Sequence, residues 1–147
     1  MATVRGRGKK SASKGELARA ASFRTELRRF LRRTEVVTSQ AGLTPERYDL
    51  LLMIQAAAEA DKPLRVTDLC DLLQLRQTAV TENVKRAVEA GLIDRRPSQD
   101  DRRATLLYLT DEGGQRLRSA YHGLRGDRAA LNQAFTELGL TFRAASR

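Results

Sequence analysis

The chain has 147 residues and carries 27 Lys and Arg against 18 Asp and Glu, a net charge of +9, which is enough for one domain that buries roughly two-thirds of its unfolded surface. A single cysteine, Cys70, excludes an internal disulfide, the N-terminus lacks the apolar core of a signal peptide, and the longest apolar run, Leu50 to Ile54, is far too short to cross a bilayer. These features predict a soluble, cytoplasmic protein without membrane contact, and the basic balance suits a polyanionic partner.

More than half of the charge excess lies in residues 1–14, MATVRGRGKKSASK, where Arg5, Arg7, Lys9, Lys10 and Lys14 occur with no acid. A segment of Gly, Ser and Lys buries too little to offset ordering entropy, so a disordered basic arm is expected there, either touching phosphates or serving as a solubilising tail. Residues 15–147 are expected to form one domain. From Glu16 to Ala41, Phe23, Leu27, Phe30, Thr34, Val37 and Ala41 recur at spacings of four and three, which predicts a long amphipathic helix ended by Gly42. Thr44 as cap and Pro45 at the first helical position start a second helix, YDLLLMIQAAAEA, apolar on most sides and therefore expected between two layers.

After Asp61-Lys62-Pro63 comes a short extended Leu64-Arg65-Val66, with Thr67 as the expected cap of a third helix bearing Leu69, Leu72 and Leu73. A break near Gln74 to Gln77 separates it from a fourth helix, TAVTENVKRAVEAGLI, stopped by Gly91. Two short helices across a tight turn make a helix-turn-helix candidate. At about 100° per residue, Val80, Val84, Ala87 and Val88 of the fourth helix cluster on one side. The other side carries Gln77, Thr78, Thr81, Glu82, Lys85 and Arg86. Small hydrogen-bonding groups in the first turns and cations further along are what a helix in the major groove needs. Glu82 opposes a purely electrostatic reading, because phosphate repels it unless it accepts from a cytosine amino group or pairs with Lys85 or Arg86. An ordinary solvated helix face has the same pattern.

The next segment, RRPSQDDRRATLLYLTDEG, favours the DNA reading. Ile93 to Arg96 and Ala104 to Leu109 predict two strands with Pro97 to Arg102 at the tip, a wing that displays Arg95, Arg96, Arg102 and Arg103. Wings of this kind project cations toward the sugar-phosphate backbone or the minor groove; the alternative is a solvated, self-neutralising turn. Asp100 and Asp101 are expected to hold the neighbouring guanidinium groups in a fixed orientation. Thr110 then caps a fifth helix with Leu117, Tyr121 and Leu124, and a shorter helix with Leu131, Phe135 and Leu138 follows. These residues have no place in a compact winged helix, so they are expected to pack with the first helix and its counterpart in a second subunit, the alternative being a monomeric helical cap.

The stretches LRRFLRRTEVVTSQAGLTPERYDLLLMI, VTDLCDLLQLRQTAVTENVKRAVEAGLI and DDRRATLLYLTDEG together resemble the MarR-type regulators, the multiple antibiotic resistance regulator family. The resemblance runs from about Glu16 to Leu138, and its most specific part is Asp101-Arg102-Arg103 followed by Leu109-Thr110 after a helix ending Ala-Gly-Leu-Ile. It implies a mainly α fold with a small β-hairpin wing: a winged helix-turn-helix DNA-binding lobe at about 44–109, with dimerisation helices at about 16–41 and 111–138. It also implies a homodimeric repressor that reads pseudo-palindromic double-stranded DNA and releases it when a small, commonly aromatic, molecule binds. By position, Gln77, Thr78 and Thr81 correspond to base-reading residues, Arg103 to a wing arginine that enters the minor groove, and Asp101 to an acid that braces the wing. The chain departs from the pattern at Gln74, where the family has glycine, and at Arg76, where it has a serine cap. Gln74 must then take a less comfortable backbone conformation, and Arg76 offers a phosphate contact but no acceptor for the helix N–H groups.

An effector pocket is expected from Phe23, Leu27, Phe30, Tyr48 and Tyr121 if they converge beneath the DNA-binding lobe, although aromatics at helical spacing more often form core; Arg24 or Arg47 is a candidate anchor for a carboxylate. One histidine, one cysteine and no phosphate-cradling glycine loop predict no metal site, no cofactor and no enzymatic activity. Cys70 reads as a small buried filler rather than a redox sensor, because Asp68 and Asp71 deny it an electropositive setting. The competing functional class is an architectural or non-specific DNA-binding protein that has no effector.

Overall fold

The computed structural model describes residues 13–140, so all but the last two residues of the basic arm lie outside it. Those two already belong to the start of α1 (Lys14–Gln40). The Ser13 hydroxyl accepts from the Glu16 N–H at 3.2 Å, and the Glu16 carboxylate accepts from the Ser13 N–H at 2.6 Å. This reciprocal cap occupies two N–H groups that a helix start leaves unpaired, so α1 begins at Lys14 rather than at Glu16. Its other end follows the sequence reading: Gly42 takes φ +70°, and the Leu43 N–H turns back to the Thr38 carbonyl at 2.9 Å.

Helix α2 (Pro45–Glu59) is capped by Thr44, whose hydroxyl accepts from the Arg47 N–H at 3.2 Å. Its Leu50, Leu51 and Ile54 are fully buried, and it touches α1, α3 (Val66–Leu73), α4 (Gln77–Glu89), α5 (Asp111–Gly123) and the return strand of the wing. A helix apolar on most of its circumference has to lie between layers, and α2 does. The expected Thr67 cap of α3 is not used. Val66 is already helical, and the Asp68 carboxylate accepts from the Arg65 N–H at 2.8 Å, because an acid in the first turn offers a charged acceptor at the positive end of the helix. Of the three leucines expected to face the core from α3, Leu69 is buried and Leu73 half-buried, while Leu72 is exposed.

The wing is an antiparallel pair, β1 (Ile93–Pro97) and β2 (Thr105–Leu109), with Ile93 opposite Leu109 and Pro97 opposite Thr105. The Leu107 N–H donates at 2.9 Å to the carbonyl of Leu64, so the extended segment before α3 lies along the far side of β2. In an antiparallel ladder every second residue points its N–H away from its partner. Leu107 and its partner Arg95 are at such positions, and so is Pro97 two residues on. Proline therefore costs this hairpin no ladder bond, which explains why β1 runs one residue past the expected Arg96.

Thr110 joins the wing to α5. Its hydroxyl donates to the Gly91 carbonyl at 2.6 Å and accepts from the Gly113 N–H at 3.0 Å. After α5 the chain turns at once into α6 (Arg125–Glu137), which folds back along α1: the Phe23 and Phe135 rings stack with centroids 5.0 Å apart, and Arg33 meets Asp127 at 3.3 Å. The expected packing of the C-terminal apolar residues with the first helix is met: Phe135 of α6 stacks on Phe23 of α1, and Leu117, Leu124 and Phe135 are buried within the single chain. The large apolar side chains exposed around these helices are a different set: Leu17, Leu31, Val36, Tyr121 and Leu140.

Candidate nucleic-acid interface

The two faces of α4 separate as the helical period requires. Val80, Val84 and Ala87 are fully buried, whereas Gln77, Thr78, Thr81, Glu82, Lys85 and Arg86 are exposed. Gln74 ends α3 in the left-handed region at φ +54°, and its Nε2 donates to the Asp71 carbonyl at 2.6 Å. That side-chain bond lets a non-glycine residue hold a conformation that costs L-residues about 1 kcal/mol. Arg76 takes the N-cap position of α4 with no side-chain cap. The first N–H groups of the helix are thus left without a side-chain acceptor, at the end where an anion is favoured. Glu82 pairs with Arg86, Oε1 to Nε, at 3.0 Å.

The wing does not present its four arginines equally. The Arg96 guanidinium lies 4.5 Å over the Tyr108 ring and 3.7 Å from the Asp94 carboxylate. Arg95, Arg102 and Arg103 are exposed, and none of the three forms an ion pair with a described residue. Asp101 braces the tip by a route other than the expected one. Its Oδ1 accepts from the Arg103 backbone N–H at 3.0 Å and its carbonyl from the Ala104 N–H at 2.9 Å, while the Ser98 N–H closes onto the Ala104 carbonyl at 2.9 Å. The acid fixes the backbone that carries Arg103 and leaves the guanidinium free, because a short side chain two residues upstream reaches a main-chain N–H more readily than a distant fork. Asp101→Ala is expected to loosen the tip and lower DNA affinity several-fold with little change in thermal stability, whereas Asp101→Asn, which keeps the Oδ1 acceptor, is expected to stay near wild type in the same titration. Equal losses for the two variants would instead assign the effect to the carboxylate holding a neighbouring guanidinium.

Helix α4 and the wing are joined by the short turn through Gly91, at φ +71°, and α4 packs on β1. A further cleft of about 260 Å³ opens between the first turn of α2 and α4, lined by Thr44, Glu46, Arg47, Leu50, Asn83 and Arg86. Arg47 and Asn83 were not among the residues expected to contact DNA. Asn83 is half-buried toward α2, so a face assigned from the period of α4 alone passes over it.

The five residues expected to form an effector pocket do not converge as a group. Phe23 is spent on Phe135 and lines an α1–α6 cleft of about 350 Å³ with Arg19, Ala20, Arg24, Leu138 and Leu140. Leu27 is half-buried on α1, and Phe30 borders a void of only about 40 Å³ beside Arg33 and Asp127. Tyr48 and Tyr121 are brought together by a residue the sequence reading missed. Arg128 of α6 lies 3.8 Å over the Tyr121 ring, and its positive charge also acts on the Tyr48 hydroxyl. Burial pushes the Tyr48 hydroxyl above the usual tyrosine pKa, against the opposing pull of Arg128, while Arg128 Nη1 is buried with no hydrogen-bond partner. No spacing rule marks Arg128, since Tyr121 lies on a different helix, across the turn between α5 and α6, and Tyr48 lies far away in sequence on α2. On its exposed side Tyr121 borders a groove of about 380 Å³ between α2 and α5, with Leu52, Gln55, Ala56, Glu59, Leu117, Arg118 and His122. Cys70 is half-buried, with its Sγ 3.6 Å from the Val66 carbonyl.

Residues 41–104 match the model of the MarR family. A Bacillus subtilis (strain 168) protein described as an uncharacterized HTH-type transcriptional regulator, YdgJ, is 32% identical over 79 residues, 54% of this chain and 46% of that protein. The chain thus aligns with about half the length of this curated relative. Among solved structures, AbsC, a MarR family transcriptional regulator from Streptomyces coelicolor, superposes with a TM-score of 0.70 at 20% identity over 87% of this chain and 89% of that one. A mutant MarR from E. coli complexed with operator DNA gives 0.65 at 20% identity, covering 89% of each chain. At such identity these structures speak to the fold, which is the same helical frame around a two-stranded wing.

Proposed function

From a chain that is a member of the MarR family through its winged helix, residues 41–104, we propose a transcriptional regulator that binds double-stranded DNA sequence-specifically as a homodimer. The family consists of transcription regulators, not enzymes. The observation that carries the reading is the pairing of an exposed polar face on α4, bearing Gln77, Thr78, Thr81, Lys85 and Arg86 behind the uncapped Arg76, with a wing whose Asp101-braced tip leaves Arg102 and Arg103 without an ion pair among the described residues. Helix residues that meet base edges, together with cations aimed at backbone and minor groove, are the two parts of winged-helix recognition. The E. coli relative complexed with operator DNA supports it.

Homodimerisation is supported by the exposed Leu17, Leu31 and Val36 of α1 and Leu140 beyond α6, large apolar side chains on the elements that flank the winged lobe that a second subunit would cover. We read the protein as a cytoplasmic repressor that a small ligand releases from its operator. The α2–α5 groove bordered by Tyr121, whose ring Arg128 covers, is the best supported place for that ligand. A ligand that favoured a dimer with wrongly spaced recognition helices would lower DNA affinity through linkage. No helix among the described residues is long and apolar enough to cross a membrane.

Selection of bound sequences from random duplex DNA, followed by titration, tests the reading. The expected result is an inverted repeat with half-sites about one helical turn apart, bound at least about a thousandfold more tightly than random duplex at physiological salt. Equal affinities and equally steep salt slopes on both would instead make the protein an architectural, non-specific binder.

A further inference from the structure

We infer that Glu82, held by Arg86 on the outward face of α4, selects a cytosine at one position of each DNA half-site; the inference rests on the sequence-specific regulator proposed above. A carboxylate is the least expected group on a surface meant for phosphate, yet Glu82 is exposed in the second turn of α4, between Thr78 four residues before it and Lys85 three residues after it. Residues at these spacings share one stripe of a helix. The ion pair resolves the electrostatic conflict. Arg86 donates through Nε to Oε1 at 3.0 Å, so the pair carries no net charge and Glu82 need not leave the face to avoid the backbone. Attachment through Nε also leaves both terminal nitrogens of Arg86 for a phosphate.

The pair leaves one group uncommitted. Glu82 Oε2 takes no hydrogen bond from any described residue, and an ionised carboxylate oxygen only accepts. In the major groove the available donors are the exocyclic amino groups of cytosine and adenine, whereas guanine O6 and N7 and thymine O4 are acceptors that repel it. Adenine sets its N7 acceptor beside the amino group, against the same carboxylate. On cytosine's own ring edge a C5–H, not an acceptor, lies beside the amino group, and the only acceptor nearby is the O6 of its guanine partner. Glu82 therefore favours one base and opposes three, and it weakens binding to DNA without that cytosine.

Sequence selection with the full-length protein, run in parallel on wild type, Glu82→Gln and Glu82→Ala, tests this. Wild type is expected to select cytosine at one symmetry-related pair of positions, and a C·G to T·A exchange there should weaken binding about 10- to 100-fold. Glu82→Gln should lose that preference, or shift it to adenine, which offers a donor and an acceptor to the amide. Glu82→Ala should lose it altogether. Both variants should keep the remaining motif and bind random duplex several-fold more tightly. A motif retained at every position in Glu82→Gln and Glu82→Ala overturns the inference and leaves the regulator standing. Failure of the wild type to select any motif overturns both.

Discussion

Gly113→Ala is expected to lower stability by about 3 kcal/mol, the upper end for a forced extra methyl group in a packed interior. Helix propensity predicts the opposite sign, since alanine in place of glycine within a helix ordinarily gains about 0.5–1 kcal/mol. Packing decides. Gly113 is buried in the first turn of α5, and a Cβ there would run into the backbone carbonyl oxygen of Leu92. That carbonyl cannot swing away cheaply, because it accepts from the Thr110 N–H at 3.1 Å while the Leu92 N–H donates to Ala87 at 2.9 Å. Moving it would unpick the junction of α4, wing and α5. Gly126→Ala is the control: nothing lies within 4 Å of a Cβ there, and the substitution should be neutral or slightly stabilising. Urea unfolding at one fixed protein concentration compares the two, and similar midpoints would show that α5 does not dock as closely as described.

Arg103→Ala is expected to weaken DNA binding by about 1–3 kcal/mol and to reduce the slope of log affinity against log salt by about one. Arg96→Ala is expected to do much less, although both arginines belong to the same wing. Arg96 is already engaged by the Tyr108 ring and by Asp94, whereas Arg103 is presented by a backbone that Asp101 fixes and has no ion pair of its own among the described residues. Titrations of the two variants over a range of salt concentrations separate them. If Arg96→Ala costs as much as Arg103→Ala, then net wing charge and not the position of one guanidinium governs binding.

Much of the scaffold was legible because its signals are local. The glycines at 42 and 91, the Thr44-Pro45 and Thr110 helix starts, and the Val80, Val84 and Ala87 stripe depend on neighbours within about a turn, where backbone geometry and period leave few alternatives. Helix starts governed by competing acceptors were less secure: an acid three residues on outbid Thr67 at α3 and moved the start of α1 to Lys14. The candidate pocket was least legible. Phe23, Leu27, Phe30, Tyr48 and Tyr121 share helical spacing and apolar character, but neither property says which helix each will meet.

The sequence by itself therefore determined the order of the helices, the face that α4 turns outward and the existence of a wing rich in arginine, since each follows from side-chain period and turn chemistry over a few residues. Only the tertiary structure decided that α6 lies along α1 with Phe135 stacked on Phe23, that Arg128 covers the Tyr121 ring, that Asp101 grips a backbone and not a guanidinium, and that Gly113 has no room for a methyl group. The helix packings join residues on different elements, most of them tens of positions apart, whose meeting depends on how whole elements pack. The bond within the wing tip depends on which of two nearby groups the folded turn brings within reach, and a residue pattern encodes neither.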